Sequence, residues 1–406
     1  MRRTSLRAAL CAALLAVVSQ TAAALPAAAR GEGGGHGDRP CERTARPLDG
    51  RARQVLDITR RAKADLRLNS VEVKVTVDGH EVLTDALGES MTGVPARPDM
   101  HFRAGSVAFA HIGTALLQLV QERRVSLDDT IERWLPDVPK AHEITLRMLA
   151  NNTSGLHDYV TDPAFGKELG PHPFRQWTPD ELLAFPYSHS FWYEPGTSWS
   201  YSHANYLLLT QALEKITGMP IQEFVERRVT GPLGLRNTRA NLTPDIPAPV
   251  LHAFTSDRGI YEESTFWNPS WTTAPGAVIT THICDLARSA EGIGSGELLS
   301  PRAYRTLLNP GTVGLGGGTA HCPSDICLKQ TEAKHFGLGV LVVNGWILQN
   351  PSFSGYAAIQ AYLPKARLAI AVSATKTATT PDGNQAEAVA TRIAAALAPG
   401  DPLAIG

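Results

Sequence analysis

Apolar residues recur along this chain with two different periods, and the switches between them mark the elements. Residues 51–66, RARQVLDITRRAKADL, carry apolar side chains at helical spacing with a charged outer face. The following stretch, SVEVKVTVDGHEVLTDALG (70–88), alternates apolar and polar positions about Asp78-Gly79, which predicts a hairpin. From 106 to about 300 the spacing is helical, interrupted by segments rich in Pro, Gly and Asn. HFGLGVLVVNGW (335–346), SGYAAIQAYLP (354–364) and RLAIAVSAT (367–375) predict three strands in succession. NQAEAVATRIAAALA (384–398) predicts a closing amphipathic helix, and no internal repeat is visible. The order implies an α+β (α/β sandwich) fold: an antiparallel sheet built from both chain ends, flanked by terminal helices, plus a mostly helical inserted domain. The sheet part is expected over about 51–105 and 330–400, within a domain of 51–400, and the helical part over about 106–329. Their junction is the natural place for a cleft.

The first thirty residues follow neither period. They have a basic start, an apolar run of about a dozen residues and small residues offering A-x-A cleavage sites, which predicts a signal peptide over 1–30. Arg2-Arg3 leaves both the general and the twin-arginine export routes open, and Cys11 lies too early for a lipoprotein cleavage site. Residues 31–50, rich in Gly, Pro and Arg, read as a flexible linker. No later stretch approaches the roughly 18 apolar residues of a membrane span. The expectation is a secreted protein.

Composition narrows the partners. The 406 residues carry a formal net charge of −1, with no basic stripe interleaved with aromatics, so neither nucleic acid nor an anionic membrane surface is expected. Beyond Cys11 the cysteines are Cys41, Cys284, Cys322 and Cys327, an even number that in an exported chain favours disulfides. Three connectivities exist; the short loop favours Cys322–Cys327, leaving Cys41–Cys284. A zinc site would need a second pair at ligand spacing, and no cofactor is implied.

Several blocks, in order, resemble the serine β-lactamase-like family of class C β-lactamases, D-alanyl-D-alanine carboxypeptidases, penicillin-binding proteins and related esterases. They include FRAGS (102–106), LQLVQERRVSLDDTIERWLPDVP (117–139), ITLRMLANNTSGL (144–156), the long run YEPGTSWSYSHANY to GLRNT (193–238), APGAVITTHICDLAR (274–288) and HFGLGVLVV (335–343). The resemblance covers roughly 51–398 and implies the same fold. It also implies three catalytic elements: Ser-x-x-Lys, Tyr-x-Asn and a strand motif Lys/His-Thr-Gly. In such enzymes the lysine shares a helix face with the nucleophilic serine, the tyrosine joins the proton relay, the asparagine binds substrate amide and the strand motif holds a carboxylate.

All three elements are altered here. The first reads Ser106-Val107-Ala108-Phe109, and no lysine occurs between Lys74 and Lys140. The second reads Tyr201-Ser202-His203, its register set by EPGTSWSY. His203 is either drift or a substitute base, since histidine titrates near neutrality. The third falls on Gln349-Asn350-Pro351, where proline would remove an edge-strand N–H; backbone N–H groups of Ser106 and Ser352 remain as oxyanion donors. Lys376-Thr377-Ala378 looks like a displaced third motif but lacks a following strand, and Tyr187-Ser188-His189 reads as a loop. His111 lies about 140° around the helix from Ser106, a packing or surface position. Trp192 and Trp199 flank the tyrosine element and either line an apolar cleft or anchor loops.

Three functions follow. The leading one is a catalytically impaired pseudoenzyme whose cleft, made apolar by Phe109 and Pro351, binds a small molecule, a peptide or cell-wall-like ligand, or a protein partner. The second is an esterase-like serine hydrolase with Ser106 as nucleophile and His203 or Tyr201 as base. The third, ordinary family activity, is opposed by the absent lysine and by Gln349-Asn350-Pro351.

Overall fold

Asp49 opens the first helix, Gly50–Asp65, its carboxylate accepting from the Ala52 N–H at 2.7 Å. The structure is a computed structural model that describes residues 40–240, 243–272 and 278–405. The signal-peptide reading of 1–30 lies outside the described residues. Of the expected linker, 41–49 run along the strand His80–Met91: Arg43 and Arg46 both pair with the buried Asp85, at 2.9 and 2.6 Å. A buried carboxylate needs such partners, which is why this polar stretch is held in place and is not a free linker.

The hairpin forms as its alternation requires, from Leu68–Val77 and His80–Met91. Asp78 and Gly79 turn it at φ +54° and +72°, the left-handed geometry of a two-residue hairpin loop. The first strand then pairs with the strand Leu368–Lys376, setting Val73 against Val372, so the two chain ends share one antiparallel sheet. Beyond Leu368–Lys376 lie Tyr356–Leu363, Trp346–Gln349, Leu341–Val343 and Lys334–Phe336. HFGLGVLVVNGW is therefore not one strand. Its glycines break it into two, and Asn344-Gly345, at φ +49° and +83°, turns the chain into Trp346–Gln349.

Val71, Val73 and Val75 pack with Ile370 and Val372 beneath Gly50–Asp65 and the terminal helix Gln385–Leu397, through Val55, Leu56, Val389 and Ile393. Helix Ile283–Gly294 meets the same central strands. The 106–329 region thus supplies one of the sheet's covering helices, and two of its strands, Ile279–Thr281 and Arg239–Ala240, join Phe102–Gly105 from the preceding segment in a small three-stranded sheet. Disulfides join Cys41 to Cys284, at the start of that covering helix, and Cys322 to Cys327. Among the described residues no helix is long and apolar enough to cross a membrane.

Helix Val107–Gln121 is apolar almost all round and buried for most of its length. A Cβ on its Gly113 would stand 2.0 Å from the Leu338 carbonyl oxygen, so only glycine lets this helix reach the 338–339 backbone. That contact fixes Ser106 relative to the sheet.

Candidate active site

Ser106 sits at the junction between Phe102–Gly105 and helix Val107–Gln121, on the wall of a cavity of about 550 Å³. The preceding Gly105 has φ +44°, and a Cβ there would lie 2.8 Å from the Pro351 Cβ. The serine turn and Pro351 are thus apposed across one edge of the cavity. Tyr201, His203, Trp199, Trp271 and Phe336 line it as well.

Tyr201 lines the cavity beside Ser106. Burial of the phenol, reinforced by the nearby Asp158 carboxylate, raises its pKa well above the ordinary tyrosine value, and the neighbouring Ser106 side chain offsets this only in part. At neutral pH Tyr201 is therefore a neutral phenol, suited to hold the serine hydroxyl and poorly suited to deprotonate it.

Phe109, one turn along from Ser106, is fully buried. Its ring stacks on Tyr206 at 3.6 Å and lies 6.1 Å from Tyr201 and 6.2 Å from His203, centroid to centroid. It does not line the cavity. The expectation that Phe109 makes the cleft wall apolar is corrected: the ring is held by the aromatic stack, and the wall's apolar character comes from Trp199, Trp271, Phe336 and Phe353.

His203 opens the helix His203–Thr217, with its ring edge-on to Tyr201 at 5.2 Å. Its Nδ1 lies 3.0 Å from both Asp158 oxygens, and its backbone N–H donates to Asp158 Oδ1 at 3.2 Å. Asp158 also accepts from the Val160 N–H at 3.2 Å. An ionised carboxylate only accepts, so Nδ1 carries a proton, and in the neutral ring Nε2 is the nitrogen left as an acceptor. No hydrogen bond links His203 to Ser106. Asp158 is the site residue that sequence reasoning missed: it lies 45 positions before its partner, and only the fold joins them.

Gln349 ends the strand Trp346–Gln349, which lies inside the sheet, so the expected edge-strand position of this motif is corrected. The buried Gln349 amide donates to the Gly339 carbonyl at 2.6 Å, and the Asn350 amide to Glu387 at 2.8 Å. Asn384 donates to the carbonyls of Asn350 and Pro351, at 2.7 and 3.0 Å. Both amide nitrogens are thus committed to the scaffold. Ser352 lines the cavity and pairs with Ala357 in the short strand Ser352–Phe353. Two lysines the motif search passed over, Lys329 and Lys334, also line the cavity; neither bonds Ser106 or Tyr201.

Residues 55–395 match the family model described as Beta-lactamase. The chain belongs to the Beta-lactamase family. A penicillin-binding protein of Bacillus subtilis (strain 168) is 29% identical over 145 residues, 36% of this chain and 32% of that one. Esterase EstB of Burkholderia gladioli is 32% identical over 162 residues, 37% of this chain and 41% of that one. The match thus spans less than half the length of either curated relative. Among solved structures, a D-stereospecific amidohydrolase from Streptomyces sp. superposes with a TM-score of 0.69 at 25% identity, covering 87% of this chain and 99% of that one.

Of the elements the resemblance implies, this chain has the serine and the tyrosine at the cleft, and among the described residues no lysine is bonded to the serine. The remaining sequence candidates separate clearly. Trp199 lines the cleft, with its indole N–H donating to the Asn151 carbonyl at 2.9 Å, whereas Trp192 stacks on His157 at 3.8 Å. His111 is buried against Ser289 at 2.8 Å, so it is a packing residue. Tyr187 ends a helix, so Tyr187-Ser188-His189 is only in part a loop, and His189 pairs with Asp162 at 2.8 Å. Lys376 closes the strand Leu368–Lys376 and does not line the cleft.

Proposed function

We propose that this chain is an exported, catalytically impaired Beta-lactamase-family protein that binds a small molecule or peptide in the old active-site cleft. The observation that carries the reading is Phe109, stacked at 3.6 Å on Tyr206 in the position where the family's lysine would meet the serine. Loss of a positioned base costs a hydrolase about 10²–10⁴-fold in rate. Tyr201 does not replace it, because burial holds it protonated. Export rests on residues 1–30 and accords with the two disulfides.

One observation favours a second reading, an esterase-like hydrolase. Asp158 holds His203 with Nε2 free to accept, the arrangement a histidine base requires. Esters ask less of a leaving-group acid than amides do.

Intact-protein mass after incubation with a penicillin and, separately, a fluorophosphonate separates the two, with Ser106→Ala alongside. The binding reading expects no adduct on folded protein. A mass gain that Ser106→Ala abolishes would transfer the case to the hydrolase, and Asp158→Asn and His203→Ala should then each remove ester turnover.

A further inference from the structure

The charges on the cavity wall have one sign. Lys329 and Lys334 line it, and among the described residues no Asp or Glu does. Asp158 stands behind His203, and Glu387 is engaged by the Asn350 amide. The Lys334 ammonium donates to the carbonyl of Ile405, a residue that lines the same cavity, and the Lys329 ammonium donates to the Gly314 carbonyl at 2.5 Å. Among the described residues each lysine therefore has one protein acceptor for three donor hydrogens, and neither faces a carboxylate partner within salt-bridge distance. Around them Trp199, Trp271, Phe336 and Phe353 present aromatic surface.

Deepening the binding reading above, and resting on it, we infer that the cleft selects an aromatic or acyl ligand bearing one carboxylate. Its apolar body would lie against Trp199 and Trp271, and its carboxylate would be taken by Lys329 and Lys334. A neutral ligand of the same shape would leave those ammonium groups without the exchange of water for anion that a carboxylate provides. A dicationic ligand would meet two like charges. The anion site lies on the segment 329–334, which enters from the Cys322–Cys327 loop side, and not on Gln349-Asn350-Pro351.

The test uses the full mature chain and a matched pair of probes, dansyl-6-aminohexanoic acid and its primary amide. Trp199 and Trp271 serve as energy donors to the dansyl group. The acid should bind about tenfold more tightly than the amide, as one charge-assisted contact provides. That preference should shrink in Lys329→Met and vanish in Lys329→Met/Lys334→Met, while the amide's affinity stays unchanged and so reports an intact cleft. Should Lys334→Met fail to fold, Lys329→Met alone carries the comparison. Equal binding of acid and amide, or a preference that survives Lys329→Met in full, overturns the anion site and leaves cleft binding standing. Binding of neither probe overturns both.

Discussion

The Phe109 and Tyr206 rings stack 3.6 Å apart and 6° from parallel, and the Tyr206 hydroxyl donates to the Ala150 carbonyl at 2.6 Å. The position one turn from the serine is therefore a dry aromatic joint between two helices. Phe109→Lys would bring an ammonium out of water into an aromatic joint and remove the stack. The expected loss is about 3 kcal/mol or more of unfolding free energy, read as a shift in the guanidinium midpoint. Amide hydrolysis should stay at background, because the Gln349 and Asn350 amides are committed to the scaffold and do not orient a substrate against Ser106. Appreciable amide turnover by Phe109→Lys would show that the serine needs only its lysine back.

Asp158 governs which nitrogen of His203 holds the proton. With the carboxylate on Nδ1, the Nδ1–H tautomer is enforced, against the ordinary preference of a free imidazole. In Asp158→Ala that constraint goes, along with the bonds to the His203 and Val160 N–H groups. Long-range ¹⁵N–¹H spectra should show the His203 pattern change tautomer, and stability should fall by about 1–3 kcal/mol. An unchanged ring spectrum would mean that something other than Asp158 sets the tautomer.

What was legible in the sequence depended on how local each signal is. The hairpin at Asp78-Gly79 and the terminal helix capped by Asn384 are written in short stretches, and both form. Asn344-Gly345 is an equally local turn signal, but it sits inside a run of apolar residues, and the run masked it. The serine and tyrosine elements were readable because their flanks fix the register. Asp158 and Lys334 were not, since a loop aspartate and an edge-strand lysine acquire meaning only from partners 45 and 71 positions away. Phe109 was singled out by its position three residues after Ser106, but its direction was missed. A ring at the i+3 position can point into the cleft or under it, and Tyr206 decides that from another helix.

His111 gives the fold an acid limit. Burial lowers its pKa from 6.5 to about 4, because desolvation penalises the imidazolium. Its Nε2 faces the Ser289 hydroxyl, and Nδ1 has no partner. Between pH 6.5 and 4 the unfolded chain binds a proton at this site that the folded chain refuses, so stability falls as pH drops through that window. The contribution is fully present above pH 6.5 and amounts to about 3 kcal/mol at most. Urea unfolding at pH 7.5 and 4.5 should show the wild type losing stability relative to His111→Gln, which has no such proton to gain. A constant difference between the two proteins across that range would contradict the assignment.

Glu72 works in the opposite direction. It lies on the strand Leu68–Val77, fully buried, with both carboxylate oxygens unpartnered. Burial first, and the Asp99 charge second, raise its pKa well above 4.5. The folded chain therefore keeps a proton that the unfolded chain releases once pH passes 4.5, and stability is lost as pH rises above that point. Glu72→Gln is neutral at every pH and preserves the side chain's shape. Wild type and variant should track each other below pH 4.5, and from there the variant should gain by up to about 1.4 kcal/mol per pH unit until the buried carboxyl ionises. Denaturant titrations at pH 4, 6 and 8 measure this directly. Asp99→Asn should leave the onset in place and bring the levelling-off to lower pH by a small amount, because repulsion from Asp99 is the smaller of the two causes. If the Glu72→Gln advantage is the same at pH 4 and pH 8, the carboxyl is already ionised or solvated, and the interior of the sheet is wetter at Ser373 and Gln360, its polar neighbours on these strands, than their unpartnered oxygens indicate.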